Sequence, residues 1–208
     1  MKTVSEAAVQ LQQQPDNLTR QELLKVAARL FREKGFRACS MQDIATELGM
    51  KKASIYYYIR TKTDLLEEIS FTAMEMLVQA GERVAFSALN PSEKLRQLIH
   101  AHVNLICSHF DLFAVTLREF TPVNAASFWE TVVALRDRYE SLLRGIIKSG
   151  QEQGLFRDVS EKMTGFALLG MVNWLIRWYS PSGPATPEEI GDLWADLFLN
   201  GLQCPPPQ

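Results

Sequence analysis

The 208-residue sequence holds only three cysteines, Cys39, Cys107 and Cys204, an odd number with no CxxC pair. That argues against a disulfide framework and a structural zinc site, and leaves buried inert thiols as the expectation. Long apolar runs are missing as well. The longest, Phe166 to Ile176, contains Asn173 and falls far short of the roughly 20 residues a bilayer-spanning helix requires. The opening MKTVSEAAVQLQQQP has an acid and no apolar stretch, so no secretory signal is expected and the chain reads as cytoplasmic, with no membrane partner. Strand-like alternation and internal repeats do not occur. His100, His102 and His109 lie near Asp111 and Glu119 in sequence, but without HExxH or another compact ligand pair they predict no metal, no cofactor and no catalysis.

What the chain does have is helix punctuation and enough apolar residues, 47%, for a packed core. Thr19-x-x-Glu22, Ser40-x-x-Asp43, Thr61-x-x-Asp64, Asn90-Pro91-Ser92-Glu93 and Thr186-Pro187-Glu188-Glu189 each offer a side-chain oxygen with an acid three residues on. The oxygen accepts an orphaned backbone N–H, and the acid reaches back or complements the helix dipole. Gly35, Gly49, Gly154 and Gly201 each follow an apolar periodic stretch, where a left-handed C-terminal position is expected. The spacing predicts an all-α fold of about nine helices: Leu18 to Lys34, Met41 to Leu48, Lys52 to Tyr58, Lys62 to Ser87, Pro91 to Ser108, Asp111 to Glu119, Val123 to Gln153, Glu161 to Tyr179 and Pro187 to Asn200. Residues 1–16, Gln-rich and broken at Pro15, and the tail 204–208 are expected to be disordered.

Charge is divided unevenly. The chain carries a formal −2, yet Asn17 to Asp64 holds ten Lys/Arg against five acids and so +5, which leaves −7 elsewhere. One polyanion-facing piece joined to an acidic globular piece gives that pattern, and so does a solvated charge-rich helix pair. Residues 17–64 and 65–203 are therefore the expected domains.

Within the basic piece, two short helices flank Gly49-Met50-Lys51, where glycine permits the positive φ of a sharp reversal. Ile44, Ala45 and Leu48 supply one apolar face, Ile55 and Ile59 the other, and Leu23, Ala27, Leu30 and Phe31 a covering stripe, with Phe36 at the corner. This is a helix-turn-helix pattern. Three consecutive tyrosines, Tyr56, Tyr57 and Tyr58, cannot all be core on one helix, because residues advance by about 100° each. Lys51, Lys52, Ser54, Arg60 and Lys62 surround them, cations for phosphates and hydroxyls for bases and sugars. Tyr56 is open between packing and phosphate contact, and Lys51 and Arg60 between contact and general electrostatics.

The runs Ala28-Arg-Leu-Phe-Arg-Glu-Lys-Gly-Phe, Ser40-Met-Gln-Asp-Ile-Ala-Thr-Glu-Leu-Gly and Lys52-Ala-Ser-Ile-Tyr-Tyr-Tyr-Ile-Arg-Thr-Lys-Thr-Asp-Leu-Leu resemble the N-terminal pattern of the TetR family of bacterial repressors over about 45 residues. The resemblance implies a dimer on a dyad-symmetric double-stranded DNA operator. Ser40, Gln42, Lys52, Ser54, Tyr56, Tyr57 and Tyr58 would touch DNA, and Lys62 would hold a phosphate. Lys51 stands where many members have a capping serine, and Tyr58-Ile59 where many have His-Phe. Lysine accepts no hydrogen bond, so helix 3 is expected to begin uncapped and to have base preferences of its own.

The larger half carries no nucleic-acid signature. Ile190, Leu193, Trp194, Leu197 and Phe198 form a stripe on the last helix, and Gly165 and Gly170 permit close contact on the helix before it. These form either a homodimer interface, as the resemblance implies, or the end of the monomer core. His100, Asn104, Phe110, Phe113, Leu117, Phe128, Asn173, Trp174, Arg177 and Trp178 are the candidate ligand-binding residues. An arginine buried between tryptophans calls for an anionic or carbonyl-bearing effector. The alternative is that Arg177 pairs with Glu119 or Asp196, or is solvated. Gly170 to Pro184 and Trp194 to Leu202 resemble family members that respond to acyl-CoA thioesters from fatty-acid, aromatic or steroid breakdown. A drug-efflux repressor sensing amphipathic cations is the other version, and it would place acids in the pocket.

Overall fold

The computed structural model describes residues 20–203, and the expectations for 1–16, for the Thr19 cap and for 204–208 lie outside them. Residues 20–34 are helical (α1). Nine helices follow: α2 (Met41–Glu47), α3 (Lys52–Tyr58), α4 (Lys62–Ala85), α5 (Pro91–Ser108), α6 (Phe110–Glu119), α7 (Trp129–Glu152), α8 (Glu161–Asn173), α9 (Leu175–Trp178) and α10 (Pro187–Leu202). No strand occurs among the described residues, only a single bridge between Phe156 and Gln203.

The caps act as the sequence predicts. Ser40, Thr61, Asn90 and Thr186 each accept the N–H of the acid three residues on, and that acid accepts the cap residue's own N–H. Gly35, Gly49 and Gly154 have positive φ and close α1, α2 and α7, whereas Gly201 lies inside α10. Two boundaries differ from expectation. Helix α7 begins at Trp129 rather than Val123, because Asn124 turns its amide back onto the Glu119 carbonyl at 3.2 Å and competes with helix formation there. The predicted Glu161–Tyr179 helix is divided at Trp174, where the Arg177 N–H bonds the Trp174 carbonyl three residues back at 3.0 Å and tightens the last turn.

Helix α5 is central, packed on α10, α4 and α7, and it meets α6 at a 96° bend around His109. Gly191 lets α10 lie close on α5, since a Cβ there would meet His100 Nδ1 at 2.5 Å. His100 Nε2 lies 3.1 Å from Asp192 Oδ1, so this histidine fastens α10 to α5 and stands outside the lining of the cavity described below, a correction to its expected ligand role. Gly165 is also turned inward, onto Leu143 of α7. No single helix among the described residues is long and apolar enough to cross a membrane.

Candidate nucleic-acid interface and effector cavity

A seven-residue helix does not hold itself together in water, so α3 is held by its neighbours. Ile55, fully buried, and Ile59 just beyond the helix anchor it against the core. The reversal before it is fixed by Gly49 at φ 64°, with the Met50 N–H on the Ala45 carbonyl at 2.9 Å. The helix begins uncapped at Lys51, as expected for a residue with no acceptor. Its outward side then carries Lys51, Lys52, Ser54, Tyr56 and Tyr57, all exposed, with Tyr57 the most open of the three tyrosines at 79%. Tyr58 is half-buried against the core, its ring edge-on to Tyr57 at 5.2 Å. The Lys52 ammonium lies 5.8 Å from the centre of the Tyr56 ring.

Half of the cations behind the +5 count prove to be internal struts. Arg20 pairs with Glu68, Arg29 with Glu47, Arg32 with Asp111 and Lys34 with Asp43. Lys34 and the Ser40 cap together hold the Asp43 carboxyl well below the ordinary range. Lys62, the expected phosphate contact, donates instead to the carbonyls of Phe36 (2.5 Å), Arg37 (3.1 Å) and Cys39 (2.8 Å), and its ammonium sits 4.6 Å from the Phe36 ring centre. Lys62 is a brace between α4 and the α1–α2 turn. Among the described residues, Lys25, Arg37, Lys51, Lys52 and Arg60 form no ion pair, and three of these flank or begin α3. Ser40 and Gln42 are exposed at the start of α2, although the Ser40 hydroxyl is occupied as a cap.

In the larger half, a cavity of about 310 Å³ lies among α4, α5, α6, α7 and α8. Phe113, Leu117 and Asn173 line it as the sequence predicts. Trp174, Arg177 and Trp178 lie outside the lining; all three are exposed, and Arg177 lies against the Trp174 face, 5.8 Å from its centre. Neither proposed carboxylate partner holds Arg177, and Asp196 pairs with Arg96 instead. Asn104 is exposed on the outer side of α5. Phe128 is buried beside Phe120, outside the lining, and Phe110 borders a separate open cleft of about 700 Å³ between α1 and the α5–α6 junction. Sequence reasoning missed Met74 and Leu77 of α4, His102 of α5, Thr116 of α6 and Phe120 just after it, Val132, Arg136 and Tyr139 of α7, and Leu169 of α8. The seven-residue spacing of Val132 and Tyr139 on one helix face was the available signal.

A third surface is apolar and open. Met163, Phe166 and Gly170 of α8, Trp174 and Trp178 around α9, and Leu193 and Leu197 of α10 are all exposed in the single chain. Trp194 and Phe198 are half-buried beside them, with Trp194 edge-on to Trp178 at 6.1 Å. Ile190 faces the core at 5% exposure, so it completes the monomer and leaves the predicted interface set.

Residues 23–69 match the family of bacterial regulatory proteins called tetR, and residues 88–202 match the tetracyclin repressor-like C-terminal domain. The chain belongs to the TetR family. It is accordingly a DNA-binding transcriptional regulator with a helix-turn-helix in α2–α3. Among TetR relatives, the transcriptional repressor KstR2 of Rhodococcus jostii (strain RHA1) is 27% identical over 187 residues, spanning 89% of this chain and 92% of its own. The solved structure of PfmR from Thermus thermophilus is 40% identical at TM-score 0.79, covering 88% of this chain and 99% of that one. The structure of AibR in complex with isovaleryl coenzyme A and operator DNA is 27% identical at TM-score 0.73, covering 86% and 96%.

Proposed function

We propose that the protein is a cytoplasmic homodimeric repressor that reads a dyad-symmetric operator with α3 of each protomer and leaves it when an acyl-CoA thioester enters the cavity. The observation that carries the DNA half of this reading is α3 itself, buried only at Ile55 and exposing Lys51, Lys52, Ser54, Tyr56 and Tyr57. Cations and hydroxyls on one open helix suit phosphates and base edges in the major groove. Ser40 and Gln42 approach the same backbone from α2, and Tyr58 supports Tyr57 from behind. Dimerisation is supported by the apolar side chains exposed on α8 and α10, Met163, Phe166, Leu193 and Leu197, since large apolar groups gathered on one face mark an interaction surface. A twofold mate sets two reading helices about 34 Å apart, one turn of B-DNA.

The effector half rests on the cavity's size and charge. At about 310 Å³ it accepts an acyl group and not a whole coenzyme. Its charged lining residue is Arg136, and no carboxylate lines it, which favours an anionic ligand over the amphipathic cation of an efflux regulator. Its walls also lead to the reading unit. Helix α4 lines the cavity with Met74 and Leu77 and braces the α1–α2 turn through Lys62. Helix α6 lines it with Phe113 and Thr116 and is tied to α1 through Asp111 and Arg32. A ligand that displaces α4 or α6 thus shifts α1 to α3 and favours a dimer that no longer spans both half-sites.

The test starts from an operator selected by the full-length protein from random-sequence duplexes. Release of that operator by acyl-CoA thioesters in a gel-shift titration is the expected result. Release by cationic dyes or free acids, with none by thioesters, contradicts the effector assignment.

A further inference from the structure

Four buried side-chain atoms among the described residues have no hydrogen-bond partner in the protein: Ser70 Oγ, His102 Nε2, Thr116 Oγ1 and Arg144 Nε. Two of them, His102 Nε2 and Thr116 Oγ1, belong to residues that line the same cavity. Those residues are 2% and 4% exposed, so neither atom is satisfied by bulk solvent. A stripped polar group is costly unless something in the cavity meets it.

The state of the histidine follows from its neighbour. Tyr139 Oη lies 3.1 Å from His102 Nδ1, with the two rings edge to face at 87°. Gly81 of α4 holds the tyrosine in place, since a Cβ there would meet the ring at 3.0 Å. If Nδ1 carried the proton, the phenol hydrogen and the Nε2 lone pair would both be left over. With the phenol donating to Nδ1, a single group remains, the Nε2–H. Burial pushes the imidazole pKa down to about 3, so the ring is neutral at physiological pH and the hydrogen-bond count alone selects its tautomer. One N–H donor and one threonine hydroxyl, both without partners, therefore belong to residues of a mostly apolar cavity wall that also includes exposed Arg136.

We infer that the cavity selects acyl groups that carry their own oxygen, a ketone or hydroxyl on a compact skeleton, which accepts from His102 Nε2–H and meets Thr116 Oγ1. The inference rests on the reading that the cavity holds the acyl part of the effector. A plain hydrocarbon of the same shape strands both groups, and at about tenfold per stranded group it is rejected. At roughly 30 Å³ per water-sized group, the space suits about ten such groups, a short chain or a substituted ring. The thioester carbonyl is the rival source of that oxygen, and matched pairs separate it from an oxygen further along the acyl group.

The experiment is calorimetric titration of the full-length dimer with hexanoyl-CoA against 5-oxohexanoyl-CoA, and with cyclohexanecarboxyl-CoA against 4-oxocyclohexanecarboxyl-CoA, alongside coenzyme A alone. The oxo member of at least one pair is expected to bind about tenfold tighter or more. Thr116→Val, which keeps the shape and removes the hydroxyl, is expected to cut that preference about fivefold without loss of helicity. Equal affinity within every pair overturns the inference while leaving the thioester reading intact, because the thioester carbonyl is then the oxygen that matters. If no thioester binds but the free oxo acids are preferred over the plain acids, the inference stands and the coenzyme assignment falls. Binding of no member in either form overturns both. A preference that survives unchanged in Thr116→Val and in His102→Phe overturns the roles given to these two side chains.

Discussion

Two faces of this molecule are open to water in the single chain, and they are opposite in kind. The α3 face offers Lys51, Lys52, Ser54, Tyr56 and Tyr57, whereas the face shared by α8, α9 and α10 offers Met163, Phe166, Trp174, Trp178, Leu193 and Leu197. Unpaired cations with aromatic hydroxyls are stable in water and suit a polyanion. A continuous apolar face is unfavourable in water and calls for a matching surface. On the proposed reading the first face meets DNA and the second holds the twofold mate, so damage to each has a distinct signature.

The largest effect is expected from the apolar face. Leu193→Asp with Leu197→Asp puts four charges into a twofold interface, so sedimentation should show monomers and operator affinity should fall ~100-fold or more. An unchanged dimer would remove that face from the account. Next comes Tyr57→Ala, which should weaken operator binding by about tenfold or more, as measured by fluorescence anisotropy, and leave the dimer and circular dichroism as they were. If instead Tyr57→Ala dissociated the dimer, the division of labour between the two faces would be wrong.

Smaller effects separate the interiors behind the two faces. His102 belongs to the larger half, and burial keeps its ring neutral down to about pH 3. The unfolded chain binds that proton near pH 6.5 and the folded chain does not. Stability therefore falls as the pH drops below about 6.5, by up to ~1.4 kcal/mol per unit. His102→Asn should flatten the slope between about pH 6.5 and 4.5 in urea melts. Asp43, in the reading unit, is held ionised by Lys34 and Ser40 and so contributes its loss only below about pH 4. Lys62→Ala should cost about 1–2 kcal/mol of stability by freeing three carbonyls, with the salt slope of DNA binding unchanged. A slope reduced by about one would instead restore Lys62 as a phosphate contact.

The same contrast explains what the sequence made legible. The DNA-reading unit could be read because its logic is local: Gly49 sets a turn, Ile55 and Ile59 fix the inward side, and about 100° per residue then assigns the outward side. The cavity is assembled from five helices, and which flank of each faces inward depends on which neighbour covers it. His100 and His102, two residues apart on α5, show the difficulty. One meets Gly191 and Asp192 of α10, and the other meets Tyr139 inside the cavity. Arg177 between two tryptophans reads as buried, yet the helix break at Trp174 leaves all three in the open. Lys62 was legible as a cation but not as a brace, because its partners are backbone carbonyls that no side-chain pattern marks.

The most direct test of the central claim is a hydroxyl-radical footprint on a selected operator, combined with the number of protomers bound. Two protomers protecting two half-sites about ten base pairs apart, or a multiple of that, is the predicted result. Protection by one protomer, or a footprint with no dyad, would contradict it.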